Sequence, residues 1–180
     1  MRITGGLLCG RTIAVPPGII RPSMDKMRES FFGCLGDLSG LSFLDIFSGS
    51  GIIALEAASR GAAYVEAVEQ DKLKRKTLLE NVSISPIRIQ CRFMPAELYV
   101  KRAKKTFDII FLDPPFPYKY KWELIADIAS SCLVRGNSKI LIHRPREDAA
   151  FSGQKDGINN LIKTDSREYG RSVVDFFTVK

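Results

Sequence analysis

Apolar positions set the rhythm of this chain before any motif does. Met24, Met27, Phe31, Cys34, Leu35 and Leu38 recur at intervals of three and four, the spacing of one helix face, and Ser23 stands where an N-cap belongs. Asp25, Lys26, Arg28 and Glu29 then fall on the opposite, polar face. After Gly40 the period changes. Leu41–Phe47 reads as a short apolar strand, Ser48–Gly51 as a glycine-rich turn, and Ile52–Arg60 as a helix stopped by Gly61. The alternation continues: Ala63–Val68 predicts a strand, Asp71–Val82 a helix with a basic outer face, and Ile87–Phe93 a strand. Pro95–Lys105 predicts a helix with proline in its first turn, followed by strand Phe107–Leu112, helix Lys121–Leu133 and strand Lys139–His143. Strands alternating with helices of this length form right-handed βαβ units. The expected class is therefore α/β, a doubly wound, mostly parallel sheet with helices on both faces.

The two ends depart from that rhythm. Residues 1–20, MRITGGLLCGRTIAVPPGII, predict a small β-hairpin or extended arm carrying Arg2 and Arg11, with 21–180 as the main domain. Asn160–Ser166 and Ser172–Val179, separated by Glu168-Tyr169-Gly170, predict an antiparallel hairpin that finishes the sheet, and residues 145–157 read as a polar loop. Cys9, Cys34, Cys91 and Cys132 lie far apart with no CxxC pairing, so zinc and redox motifs are not expected and a reducing compartment, the cytoplasm, is. No apolar run approaches the roughly 18 residues that cross a bilayer, and no leader pattern is read, so no membrane role is expected. Lys+Arg 27 against Asp+Glu 20 gives +7, which favours a polyanionic partner.

Candidate chemistry sits at two predicted strand ends. Leu44-Asp45-Ile46-Phe47-Ser48-Gly49-Ser50-Gly51 is a strand whose glycine turn opens a helix, an arrangement that lets backbone approach a nucleotide-like ligand. Gly49, Gly51 and Ala54 satisfy the GxGxxG/A spacing, and Glu69 follows the next strand where an acidic residue takes ribose hydroxyls, so a dinucleotide enzyme stays open. Asp45 argues against it. A carboxylate before the glycines repels a pyrophosphate and suits a cationic or zwitterionic ligand. Asp113-Pro114-Pro115-Phe116 ends the fourth predicted strand, and its tandem prolines stiffen the turn. The Asp113 carboxylate and the Pro114 carbonyl are two acceptors, and Phe116 is a stacking face; together they match the exocyclic amine and ring of a nucleobase. The alternative is a structural turn with Phe116 in the core. Tyr118-Lys119-Tyr120-Lys121-Trp122 interleaves cations with rings, which favours RNA. Lys101, Arg102, Lys104 and Lys105, like Lys72, Lys74, Arg75 and Lys76, read either as RNA-facing or as solvated helix faces. His143, the single histidine, cannot form a metal cluster and is expected to be structural.

Taken together, LDIFSGSG, Glu69 and FDIIFLDPPF resemble a class I S-adenosylmethionine-dependent methyltransferase of the amino-methylating group. RPSMDKMRESFF, ALEAASRGAA and YGRSVVDFF narrow the resemblance to the small bacterial methyltransferases that modify N2 of a guanine in 16S ribosomal RNA. The resemblance implies a Rossmann-like, seven-stranded sheet, S-adenosylmethionine as cofactor and no metal. It implies that Asp45, Gly49 and Gly51 hold the methionine part of the cofactor, Glu69 its ribose, and Asp113, Pro114 and Phe116 the target guanine, with Phe47 also at the cofactor. Arg21, Asp25 and Arg28 match the family's signature in the first helix, which is implied to help close the site. Where related enzymes often carry an acidic or amide residue near the adenine, this chain has Met94-Pro95-Ala96, which leaves adenine to backbone and apolar walls. Arg2, Arg11, Arg21, Arg28, Tyr118, Lys119 and Lys121 are the candidate RNA contacts. The partner expected is ribosomal RNA within a small-subunit assembly particle, met by a monomer. Two rivals stay open: a DNA adenine or cytosine amino-methyltransferase, and a non-catalytic RNA-binding module with the same fold.

Overall fold

The computed structural model describes residues 1–16, 25–148 and 160–180. The expectations for Arg21 and Ser23, and for most of the 145–157 loop, lie outside the described residues. The elements are α1 (Asp25–Leu35), β1 (Ser42–Ile46), α2 (Ile52–Ser59), β2 (Tyr64–Val68), a 3-10 turn (Lys72–Lys74), α3 (Arg75–Val82), β3 (Ile89–Arg92), α4 (Ala96–Arg102), β4 (Ile109–Leu112), α5 (Lys121–Ala129), β5 (Lys139–Pro145), β6 (Leu161–Tyr169) and β7 (Ser172–Val179). The seven strands run in the order β3-β2-β1-β4-β5-β7-β6, a mixed sheet whose antiparallel part is the C-terminal β5-β7-β6. Two compact units divide the chain, Met1–Pro95 and Ala96–Lys180.

In the first unit β1, β2 and β3 pair in parallel, and α2 packs over all three and against α3. Every residue of α2 is buried, including Glu56. That carboxylate is tolerable only because four donors converge on it: Thr4 N at 2.7 Å, Thr4 Oγ1 at 2.8 Å, Arg28 Nε at 3.2 Å and Arg60 Nε at 3.2 Å. Arg28, expected on the polar face of α1 and facing RNA, is instead fully buried. It also donates to Asp25 at 2.7 Å and to the Arg2 carbonyl at 2.5 Å, so its charge neutralises Glu56 and is withheld from any phosphate.

The N-terminal segment makes one antiparallel bridge, Arg2 to Thr12, with Ile3 and Ile13 buried beneath it. It lies on α2: Leu7 N donates to Ser59 O at 2.8 Å, Leu8 N to Ser59 Oγ at 2.8 Å, and Ser59 Oγ to Gly5 O at 2.7 Å. Gly6, at φ 75°, has no room for a side chain, since a Cβ would come within 1.9 Å of Ser59 O. Asn81 of α3 pairs with Ala14 N at 3.0 Å and Ala14 O at 2.9 Å. Among the expected boundaries that shift, two in this unit do so for local reasons. α1 ends at Leu35 because Gly36 turns left-handed at φ 75°, although Leu38 remains buried from the loop. The expected helix from Asp71 begins as a 3-10 turn, with Asp71 accepting from Leu73 N at 2.9 Å, and becomes α-helical only at Arg75.

In the second unit β4 and β5 pair in parallel, and β7 runs antiparallel to both β5 and β6. All four residues of β4 are buried. β5 continues past the expected His143 because Arg144 and Pro145 pair with Val173 and Ser172 of β7. Arg144 also meets Asp175 at 2.6 Å, and Lys163 and Ser166 complete the shell of that buried carboxylate at 2.7 and 2.6 Å. Burial raises the pKa of Asp175, but its bonds to Arg144, Lys163 and Ser166 outweigh that and lower it overall.

Replacing Arg28 with methionine leaves Glu56 buried beside only its remaining donors. Urea denaturation should show a loss of about 3–5 kcal/mol. A variant as stable as the parent would show that the Glu56 network does not anchor the first unit.

Candidate active site

The turn after β1 is built around two carboxylates of the first unit. Asp45 Oδ2, fully buried, accepts from Ser48 Oγ at 2.6 Å and from Ala54 N at 3.2 Å. Glu69, directly after β2, accepts Gly49 N on Oε2 and Asp71 N on Oε1, both at 2.8 Å, with Lys74 Nζ at 3.7 Å. Phe47 takes φ 66°, a left-handed conformation costly for an aromatic residue, to swing the chain from β1 into this turn. Asp45, Gly49 and Glu69 thus meet around one turn, and Gly51 N closes it on Ser48 O at 2.9 Å. Two amides of the α2 first turn are engaged by the chain itself, Ala54 N by Asp45 and Ile52 N by Ser50 Oγ at 3.3 Å. A pyrophosphate needs those donors free and no carboxylate among them, so the dinucleotide reading weakens.

The two glycines do different work. A Cβ on Gly49 would meet only Phe47 O, at 3.9 Å, which leaves the turn open to a ligand. A Cβ on Gly51 would come within 2.6 Å of Leu78 Cδ1 and 3.1 Å of Val82 Cγ1. Gly51 therefore makes room for α3, which corrects the expectation that it clears space for the cofactor. Nearby, burial and then the Asp45 and Glu66 carboxylates push the Cys91 thiol up, away from nucleophilic thiolate chemistry.

In the second unit β4 delivers Asp113 to its carboxyl end. Pro114 is buried and Phe116 half-buried, and Tyr118 N closes the turn on Pro115 O at 2.8 Å. His143, expected to be structural, joins the motif: its Nδ1 lies 2.8 Å from Asp113 Oδ1, and the Phe116 ring meets its ring edge-on at 6.2 Å. The signal was present in the strand register. β4 and β5 pair in parallel with Leu112 opposite Ile142, so the next residue of each, Asp113 and His143, fall side by side.

A cavity of about 360 Å³ adjoins the motif, lined by Phe116, Pro117, Tyr118, Lys119, Lys121, Trp122 and Asp148. Tyr118 donates its hydroxyl to Glu97 at 2.5 Å. Burial, that bond and the charges of Glu97, Glu123 and Asp127 push the phenol well above its ordinary value. Lys121 is buried and ion-paired with Asp148, so it walls the cavity and cannot offer its charge to a phosphate as expected. Lys119 and Arg11 are exposed, and the Arg2 side chain is 63% exposed beside Asp25. In the basic runs Lys74 pairs with Glu69, Lys76 with Glu80 at 3.9 Å, and Arg75 stacks over Phe93 at 4.7 Å.

The family described as Conserved hypothetical protein 95 matches residues 1–178. A ribosomal RNA small subunit methyltransferase D from Buchnera aphidicola (subsp. Acyrthosiphon pisum) is 30% identical over 154 residues, 82% of this chain and 79% of that protein. The chain belongs to the ribosomal RNA small subunit methyltransferase D family. The protein of that name from Escherichia coli K12 is 34% identical over 120 residues, 64% of this chain, and the match spans only 60% of that relative's length. Among solved structures the Escherichia coli protein yhhF superposes with a TM-score of 0.89 at 24% identity, covering 100% of this chain and 98% of that one.

The glycines give a direct test of the turn. Gly51→Val should lower stability by about 1–3 kcal/mol of overpacking, with roughly 1–2 kcal/mol more for the left-handed backbone. Gly49→Ala should carry only the backbone cost. Equal urea midpoints for the two variants would contradict the packing role of Gly51.

Proposed function

We propose that the protein transfers the methyl group of S-adenosylmethionine to the exocyclic N2 of a guanine in 16S ribosomal RNA. The observation that carries this reading is Asp113, a carboxylate fixed at the end of β4 by His143 and followed by the Pro114 carbonyl and the Phe116 ring. Family membership supports the methyl transfer and the ribosomal substrate. The donor set of the first unit fits the cofactor. Glu69 keeps lone pairs for ribose hydroxyls beside its two backbone bonds, the open side of Gly49 admits a ligand, and the buried Asp45 charge suits a ligand bearing an ammonium and a sulfonium.

When bound, S-adenosylmethionine supplies an electrophilic methyl on a sulfonium sulfur. Asp113 and the Pro114 carbonyl accept the two amine hydrogens, which aims the nitrogen lone pair, and Phe116 holds the base by stacking. As N2 gains the methyl it becomes cationic and acidic. The Asp113 carboxylate stabilises that charge and receives the proton that leaves. Lys119, Arg2 and Arg11 supply exposed cations for RNA phosphates. The substrate is the rRNA of an assembling small subunit, the enzyme acts as a monomer in the cytoplasm, and no helix among the described residues is long and apolar enough to cross a membrane.

Single-turnover methyl transfer at saturating cofactor and RNA tests the assignment. Asp113→Ala should slow transfer on the order of a hundred- to a thousandfold, with cofactor affinity within a few fold. Phe116→Leu should instead weaken RNA capture by roughly 1–3 kcal/mol. Transfer at the parental rate by Asp113→Ala would make the motif a structural turn.

A further inference from the structure

We infer that His143 is a positioning residue for methyl transfer: its Nδ1–H clamps Asp113 Oδ1, leaving Oδ2 for the target amine. The inference rests on the role proposed above for Asp113. An aspartate at the end of an element ordinarily takes the backbone N–H two residues on, and two aspartates among the described residues do so. Asp37 accepts from Ser39 N, and Asp71 from Leu73 N, each at 2.9 Å. Asp113 has no such donor. The next two residues are Pro114 and Pro115, which carry no N–H. The motif that stiffens the turn therefore strips the carboxylate of its local clamp, and the replacement comes from β5.

His143 is 5% exposed and lies 2.8 Å from Asp113 Oδ1, with the Phe116 ring against it. Its other nitrogen decides which atom holds the proton. Nε2 is buried and has no hydrogen-bond partner among the described residues. A hydrogen there would be a buried, unsatisfied donor, and a bare Nδ1 would then set its lone pair against the carboxylate oxygen. The neutral ring protonated on Nδ1 avoids both. In that form His143 is a donor to ionised Asp113 and not a store for its proton, so it acts through orientation. It fixes one oxygen of the carboxylate and packs against the Phe116 ring.

Because His143 is the single histidine of the chain, long-range proton–nitrogen NMR of the labelled protein reads one imidazole. The expected spectrum is the Nδ1–H tautomer, reverting toward Nε2–H in Asp113→Ala. The kinetic companion compares His143→Leu with His143→Asn, whose amide nitrogen stands as many bonds from the backbone as Nδ1. Single-turnover transfer to ribosomal RNA should fall roughly ten- to a hundredfold in His143→Leu and recover to within a few fold of the parent in His143→Asn. Cofactor affinity should stay unchanged in both. An Nε2–H tautomer in the parent overturns the inference with no substrate present, as does parental transfer by His143→Leu or an Asn variant as slow as the Leu variant. A parent enzyme that methylates another atom of the RNA would overturn the guanine-N2 reading while leaving the ratio of variants to be read.

Discussion

A carboxylate at the end of a buried strand must be held by donors of its own chain, because an unpaired charge taken out of water costs several kcal/mol. Asp45, Glu69 and Asp113 each meet that demand, and the bonds that do so shape what surrounds them. Asp45 draws in the first turn of α2 through Ala54 N and the glycine turn through Ser48 Oγ. Glu69 ties Gly49 N to the residue that caps the 3-10 turn, Asp71. Asp113, denied backbone donors by its prolines, is held by His143 from the neighbouring strand. In each case the internal bonds fix the direction of the carboxylate. That preorganisation is what the proposed methyl transfer needs, since such a transfer asks for alignment and charge stabilisation more than proton chemistry.

The same logic, turned inward, secures the first unit. Glu56 sits in an otherwise apolar or small-residue helix, IIALEAAS, and is neutralised by Arg28 of α1 while Thr4 and Arg60 complete its bonds. One buried charge thereby joins the N-terminal segment, α1 and α2. The segment from Met1 to Ala14 lies along α2 and α3 through backbone bonds, with Arg2 and Arg11 still exposed on it. Arg28, by contrast, belongs to the core.

Much of this was legible in residue order. The alternation of apolar runs located six of the seven strands to within a few residues, because strand burial leaves a strong signature even in runs of four such as Ile109–Leu112, whereas β6, exposed along nearly its whole length, was legible only through the turn that joins it to β7. The strand-end acids and the DPPF turn were legible for the same reason: they punctuate apolar runs. What stayed hidden depended on where side chains point. Arg28 fell at a polar position of the α1 spacing, yet the lone acid in α2 was the clue that a buried cation had to answer it. Gly49 and Gly51 look alike in sequence and both turn left-handed, and only the closeness of Leu78 and Val82 separates a packing glycine from an open one. Lys121 belongs by composition with the exposed cations, and its partner Asp148 lies 27 residues away. His143 was within reach, had the register of β4 on β5 been carried one residue past Leu112.

The measurement that bears most directly on the central claim is nucleoside mass spectrometry of 16S ribosomal RNA from cells that carry the gene and cells that lack it, with fragments mapped to position. The account predicts N2-methylguanosine at one position in the first RNA, absent from the second and restored by the purified protein with S-adenosylmethionine. Identical RNA from both cells, or a methyl group that tracks the gene but sits on another atom, would contradict it.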